Sequence, residues 1–324
     1  MNKVNQILLR VIFLAFLMAS GIINAQSYPS KTIRVIIGYP AGSGNDVIAR
    51  LVMSEVSKGI GQQVIIDNRP GASGNIGAEL VARSAPDGYT LLNAPGSITA
   101  TYTLSKNLAY DLLKDLETVS VMASVPFILV VHPSLPVRSA RELIDFAKSR
   151  PEQLTFASSG SGGLPHLTGE LFRIRAGLKI RHISYKGTGQ ANVDVMNGQV
   201  SMIFTPTASA MPHIQSKRLR ALAITSAQRL TAYPDLPTIS EAAIPGFESV
   251  NWVSLFSPRG TSADVINRIN SEVNRAVQLP LIKEYFINLG AEPLTGTPQQ
   301  WAKYVRDEVS KWAKVIKASE VRVE

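Results

Sequence analysis

Residues able to do covalent or metal chemistry are sparse in this chain. Its four histidines stand apart at 132, 166, 182 and 213, and it has no cysteine. That removes thiolate metal sites, disulfides and a cysteine nucleophile. Ser158, Ser159 and Ser161 share one loop, Ser158-Ser-Gly-Ser-Gly-Gly163. A serine hydrolase would need a histidine and a carboxylate beside one of them, and no spacing in the sequence supplies that pair. The chain carries no G-x-x-x-x-G-K-[ST], no G-x-G-x-x-G after a strand, no G-x-S-x-G and no H-E-x-x-H. No metal, cofactor or catalytic role is expected.

What the glycine loops offer instead is anion binding by backbone. Val35-Ile36-Ile37 is a β-type run that stops at Gly38, and Pro40-Ala41-Gly42-Ser43-Gly44-Asn45-Asp46 turns the chain. Ile48, Val52 and Val56 then recur at a spacing of four, one face of an α-helix. A strand, a glycine loop and a helix start leave N–H groups unpaired and point a positive dipole end outward. Such a joint suits a carboxylate. Asp46 has two readings: contact to a ligand ammonium, or neutralisation of its own helix start. The same construction returns at Leu154–Ala157, Ser158–Gly163 and a helix opening at Pro165, with Leu167, Leu171 and Ile174 on one face. His166, in the first turn of that helix, serves either as a ligand contact or as helix-start packing. A third variant is Ile183-Ser-Tyr185 leading into Lys186-Gly-Thr-Gly189.

The elements that must position these loops alternate between strand and helix. Residues 27–122 read as βαβα, with strands at Val64–Ile66 and Tyr89–Leu92 and a polar loop at Asn93–Thr99. That order predicts an α/β domain with a mainly parallel sheet, and ligands at the carboxyl ends of its strands. Strand-like runs at 119–122 and 127–131 lead to a capping box, Ser139-x-x-Glu142. Further strands are expected at Val200–Phe204, Leu219–Thr225 and Trp252–Phe256. Two late helices follow, capped at Thr261-x-x-Asp264 and at Thr297-Pro-x-Gln300, and the tryptophans are expected in the core. These helices should return to cover the first sheet, so that the chain crosses between two lobes near 122–127 and 224–228. The expected division is 1–25 as an export signal, 26–123 with 227–324 as one lobe, and 124–226 as the other.

The export reading rests on Lys3 and Arg10, on the 13-residue apolar run Val11–Ile23 and on Asn24-Ala25. The run is short of the ~20 apolar residues that span a bilayer. Without a cysteine there is no lipid anchor, so a free periplasmic protein is expected. The formal charge of the whole chain is +9. Removing Lys3 and Arg10 leaves +7. The basic residues are scattered and not interleaved with aromatics, so no nucleic-acid partner is expected.

Several segments, taken together, resemble one family. They are Tyr39-Pro-Ala-Gly-Ser-Gly-Asn-Asp-x-x-Ala-Arg50, Asn68-Arg-Pro-Gly-Ala-Ser-Gly-Asn-Ile-Gly77, Asp87-Gly-Tyr-Thr-Leu91 and Ser158-Ser-Gly-x-Gly162 with His166-Leu167. Tyr185-Lys-Gly187, Leu219-Arg-Ala-Leu-Ala223 and Trp252 with Pro258-x-Gly-Thr261 extend the match to most of 28–318. The pattern is similar to the Bug receptors, periplasmic solute-binding proteins of tripartite tricarboxylate transporters. The resemblance implies a two-lobed type II periplasmic binding fold that closes on a small carboxylate, acts as a monomer and delivers its ligand to membrane permease subunits. Carried over, the first-lobe contacts are Tyr39, Ala41, Gly42, Ser43 and Asp46. Those of the second lobe are Ser159, Gly160, Gly162, His166 and Thr205. Ser43 stands where the family often has glycine, which makes it the expected source of individual specificity. Thr205 stands where aspartate is common, which favours a ligand without an ammonium group. The rival readings are a ligand sensor feeding a signalling system and an enzyme acting on a carboxylate in the same cleft.

Overall fold

A computed structural model describes residues 28–105, 107–319 and 321. The expected export signal lies outside the described residues. The first strand, β1 (Ile33–Ile37), is buried almost throughout, and helix α1 (Gly44–Ile60) follows it. Ser43 caps α1 by accepting from the Asp46 N–H, and Gly61, with φ +73°, closes it in the left-handed conformation. Strands β2 (Val64–Asn68) and β3 (Thr90–Pro95) pair parallel to β1 on its two sides. Ile48, Val52 and Val56 of α1 pack with Val35 and Leu91 beneath them.

The second half repeats this plan. Helix α4 (Ala140–Ser149) is capped by Ser139, as the capping box predicts. Strand β5 (Thr155–Ser158) pairs parallel with β6 (Arg181–Ser184) and β7 (Met202–Pro206). Helix α5 (Leu164–Ala176) follows β5, α6 (Thr188–Met196) follows β6, and α7 (Thr207–Gln215) follows β7. Helices α2 (Asn75–Ala82) and α3 (Ser97–Leu104) flank β3 in the first half.

One strand joins the halves. β4 (Leu116–Val131) runs unbroken for 16 residues, where two separate runs were expected. Its first part lies antiparallel to β9 (Val250–Pro258), and its last five residues lie antiparallel to β7 and β8 (Arg220–Ile224). The change of partner falls at Pro126, which has no N–H to give a ladder, and the next amide, Phe127, donates to Thr225 Oγ1 at 2.9 Å. The main path of the sheet is β2-β1-β3-β9-β4-β7-β5-β6, with β8 pairing to β4 off this path. Each lobe thus keeps three parallel strands and borrows antiparallel ones from the crossing. The result is a curled, two-lobed α/β fold.

The stretch after the expected return crossing at 224–228 still packs on the second half. Residues Ile239, Ala243, Ile244 and Phe247 pack with Phe172, Phe204 and Leu222 of the second half. The passage is pinned at Ser249, whose N–H donates to Thr225 O at 2.9 Å and whose hydroxyl meets Thr168 Oγ1 at 2.6 Å. The short helix α8 (Ile239–Ala242) belongs to this stretch, where Thr238 and Glu241 form a capping box. Helix α9 (Ala263–Val277) is capped by Ser262, one residue after the expected Thr261. Helix α10 (Pro280–Leu289) was not foreseen, although Pro280 at its start, Ile282 and Phe286 inward and Gly290 at its end spell it out. A two-residue strand, β10 (Glu292–Pro293), then pairs with β4.

The last helix, α11 (Pro298–Ser319), spans both halves. Trp301, Tyr304, Val305 and Val309 pack around Trp252, whereas Trp312 and Val315 enter the cluster of Phe172 and Leu167. Trp252 and Trp312 are fully buried, so the tryptophans do serve the core.

Candidate functional site

A cavity of about 410 Å3 opens between the lobes at the carboxyl ends of the parallel strands. Its first-lobe wall includes Tyr39, Ser73, Ser97, Thr101 and Leu104. Its second-lobe wall includes Ser159–Leu164, Pro165 and Thr188; Phe127 and Asn251 lie on the crossing strands β4 and β9, and Pro206 ends β7. Among the described residues that line it, none carries a charged side chain.

Its polarity comes from backbone. Ser97 is the first residue of α3, Leu164 of α5 and Thr188 of α6, and Pro206 is the cap of α7. Four helix N-termini therefore face one volume. Each carries about half a positive charge in its free N–H groups, worth ~0.3–1 kcal/mol to an anion. In the serine-glycine loop, the amides of Ser161 and Gly163 donate to no acceptor among the described residues. Gly160 and Gly162 hold φ +153° and +74°, conformations that side-chain-bearing residues rarely adopt and that turn this backbone toward the cavity.

The serine-glycine loop is held from behind. His166 is 6 % exposed, and its Nδ1 accepts the Gly162 N–H at 3.0 Å. Burial, with help from His182 and Arg173, pushes its pKa down to about 3, and burial pushes His182 down to about 4. Both rings are neutral near pH 7. Glu170, 3.9 Å from His166 Nε2, is engaged by Arg173 at 2.7 Å. His182 also bonds Ser158 Oγ at 2.7 Å. No spacing in the sequence announces that serine–histidine pair. Ser158 is fully buried and outside the cavity lining, so the pair supports the loop and presents no nucleophile.

Tyr39, Ser159, Gly160 and Gly162 of the expected contact set line the cavity. Tyr39 donates to Ser73 O at 2.9 Å, and its burial raises its pKa against the lowering effect of Ser97, so it stays a neutral hydroxyl. Ala41 and Gly42 are exposed and Ser43 is half-buried, and none of the three is in the lining. The Ser43 hydroxyl is occupied as the cap of α1. Asp46 is 1 % exposed, and its Oδ2 accepts from Gly42 N and Arg50 Nε while Oδ1 accepts from Asn68 Nδ2, each at 2.9 Å. Burial pushes its pKa up, but these bonds outweigh burial and hold it below the usual carboxylate range. With its oxygens so engaged, Asp46 ties the first loop together and is not free for an ammonium.

Thr205 is also displaced from the expected set. It pairs with Ile128, next to the Phe127–Pro206 pair that borders the cavity, so the strand pleat turns it to the other face. His166 acts through Gly162. Beyond the serine-glycine loop and the start of α5, the positions not foreseen are Ser73, Ser97, Thr101, Leu104, Phe127, Thr188, Pro206 and Asn251. Thr188 sits in a glycine loop visible in the sequence. Phe127 and Asn251 reach the cavity only because β4 and β9 cross between the lobes, which no local pattern announces. Among the described residues there is no cluster of histidine and acidic side chains able to hold a metal ion.

Comparison with known proteins gives these features a context. A model described as the tripartite tricarboxylate transporter family receptor matches residues 48–321. The protein BugT of Bordetella pertussis is 36% identical over 319 residues, covering 98% of each chain. Among solved structures, Rpa4515 of R. palustris, solved with adipate, shares 33% identity with a TM-score of 0.75, covering 91% of this chain and 99% of its own. MatC from Rhodopseudomonas palustris with bound malate shares 29% identity with a TM-score of 0.71, covering 89% of this chain and all of its own. On these matches, the chain belongs to the tripartite tricarboxylate transporter receptor family.

Proposed function

We propose that this protein is a periplasmic receptor that closes on a small organic carboxylate lacking an ammonium group and delivers it to the membrane subunits of a tripartite transporter. The observation that carries this reading is the cavity itself. Four helix N-termini converge on a lining with no charged side chain, an arrangement that stabilises an anion without a counter-cation. An ammonium would find no free carboxylate there, because Asp46 is engaged in its own loop. The adipate and malate held by related receptors are carboxylates of this kind. No helix among the described residues is long and apolar enough to cross a membrane.

Closure takes place about the two chain crossings. We place the lobe boundaries at Pro126/Phe127 and Ser249/Val250, where β4 changes partner and where Ser249 is pinned to Thr225. The walls then approach by rotation about these two strands, and the ligand drives closure by contacts that only the closed form makes. The Ala41–Ser43 segment, tied to Asp46, descends on the ligand with its lobe in that motion.

Thermal shift and calorimetry against mono-, di- and tricarboxylates, amino acids and neutral polyols test this reading. Carboxylates are expected to raise the melting temperature and amino acids to leave it unchanged. Stabilisation by polyols alone would overturn the anion site, and stabilisation by amino acids would overturn the exclusion of ammonium. Turnover of a bound acid would replace the receptor reading with the enzymatic one.

A further inference from the structure

Three strands form the cavity floor, and each presents one side chain: Pro206 from β7, Phe127 from β4 and Asn251 from β9. The strand registers account for this. Phe127 pairs with Pro206. Asn251 pairs with Val125, two residues before Phe127, and residues two apart on a strand share a face. Two of the three floor residues are apolar. The third is an amide whose Oδ1 is shut away from solvent and has no hydrogen-bond partner among the described residues.

An orphaned buried acceptor of this kind costs roughly 1–3 kcal/mol. Packing does not call for it: the other two floor side chains, Phe127 and Pro206, are apolar, and an aliphatic side chain would suit the same floor. Asn251 is also the second residue after Ser249, at the passage between lobes, so both lobes can bring a ligand against it. Three of the four helix N-termini, at Ser97, Leu164 and Thr188, lie along the walls; the fourth, that of α7, meets the floor at Pro206, which has no N–H of its own, and the floor carries no cation. The floor is therefore a poorer place for a second carboxylate than the walls. Once the amide turns toward the cavity on closure, its oxygen asks for a donor. An ammonium donor would lack a counter-charge here, which leaves a hydroxyl. A hydroxyl can also accept from the amide nitrogen, so it satisfies either orientation of the side chain.

We propose that Asn251 reads a hydroxyl group on the ligand, making this a receptor that prefers hydroxy acids to their deoxy counterparts. This rests on the carboxylate-receptor reading above and adds the chemistry of the ligand's remainder.

The test is calorimetric titration with matched acids: butyrate against 3-hydroxybutyrate, and succinate against malate, with acetoacetate as the oxo control. The wild-type protein is expected to bind a hydroxy acid at least about tenfold more tightly than its deoxy partner, one well-placed buried hydrogen bond. N251L should bring that ratio to about one while keeping affinity for the deoxy acid. N251D, nearly isosteric and still an acceptor, should keep the ratio at lower overall affinity, so a folding defect in N251L does not decide the matter. A wild-type ratio near one, a preference for acetoacetate over 3-hydroxybutyrate, or an unchanged ratio in N251L overturns the assignment while leaving the carboxylate receptor intact. Failure of the wild-type protein to bind any of these acids overturns the hydroxyl assignment, and it overturns the carboxylate receptor as well where no acid of the wider panel raises the melting temperature.

Discussion

His166 lies flat on His182, with ring centroids 3.6 Å apart and planes 9° from parallel. The pair holds the serine-glycine loop at two points: His166 accepts the Gly162 N–H, and His182 bonds the Ser158 hydroxyl. Phe156 closes the stack from the sheet side, 5.0 Å from His182 and 6.1 Å from His166. A wall of the cavity is thus shaped by neutral imidazoles that do not line it.

Acid should therefore destabilise this fold. The pKa values of His166 and His182 are pushed down to about 3 and about 4 in the native state, against about 6.5 when unfolded. Between those values the unfolded chain binds more protons, so stability falls as pH falls below about 6.5. The slope reaches at most about 1.4 kcal/mol per pH unit for each histidine. Buried His166 should approach that limit, and partly exposed His182 less so. The ion pair of Glu170 with Arg173 faces His166 and leaves little free negative charge to hold a proton there. Urea unfolding at pH 7, 6, 5 and 4 should show the decline, with H166N flattening it. A wild-type protein of equal stability at pH 4 and pH 7 would contradict the account.

Gly169 explains why α5 can lie so close to this stack. A Cβ at that position would collide with the Phe156 ring. G169A should cost about 1–3 kcal/mol by overpacking, despite alanine's better helix propensity. It should also weaken ligand binding, because the displaced ring supports both histidines. Chemical denaturation measures the first effect and calorimetry the second; unchanged stability would show that the helix moves away freely.

The sequence and the structure agree most closely where the pattern is local. Ser139-x-x-Glu142 and Thr297-x-x-Gln300 appear as caps because a capping box is read within four residues. The glycine loops at 158–163 and 187–189 face the cavity because a loop after a parallel strand has no other place to go. Sequence reasoning failed where distant strands decide. Thr205 looked like a contact, yet its register with Ile128 turns it from the cavity. Asn93–Thr99 looked like a loop, yet Gly96 packs so tightly on Trp252 that β3 runs to Pro95 and α3 begins at once. Asp46 and Ser43 looked available because their partners, Arg50 apart, lie in backbone amides and in Asn68, which no charge pattern reveals.

Asp46 should be a structural residue. D46A leaves the Gly42 amide, the Arg50 guanidinium and the Asn68 amide without their shared acceptor. The expected loss is about 2–3 kcal/mol, below that of a fully buried pair because Arg50 is half exposed. Carboxylate affinity should fall with the loosened loop. D46N keeps Oδ1 and should recover part of both. If D46A retained full stability and instead gained or lost amino-acid binding, Asp46 would be a ligand group after all.

Thr188 offers the sharpest separation of binding from folding. It is the first residue of α6 and it lines the cavity. An aspartate there complements its own helix dipole, so T188D should leave the melting temperature unchanged or slightly raised. The same carboxylate would face a bound anion. At about 5 Å and an effective dielectric of about 20, that repulsion is roughly 3 kcal/mol, or about 100-fold in affinity. Added salt should recover only part of it, since the cavity shields the pair. Ligand binding by calorimetry and melting by scanning fluorimetry on the same preparation check both halves. Full carboxylate affinity in T188D would mean that the anion is held elsewhere, and a collapse of stability would mean that the start of α6 is built differently from the arrangement described.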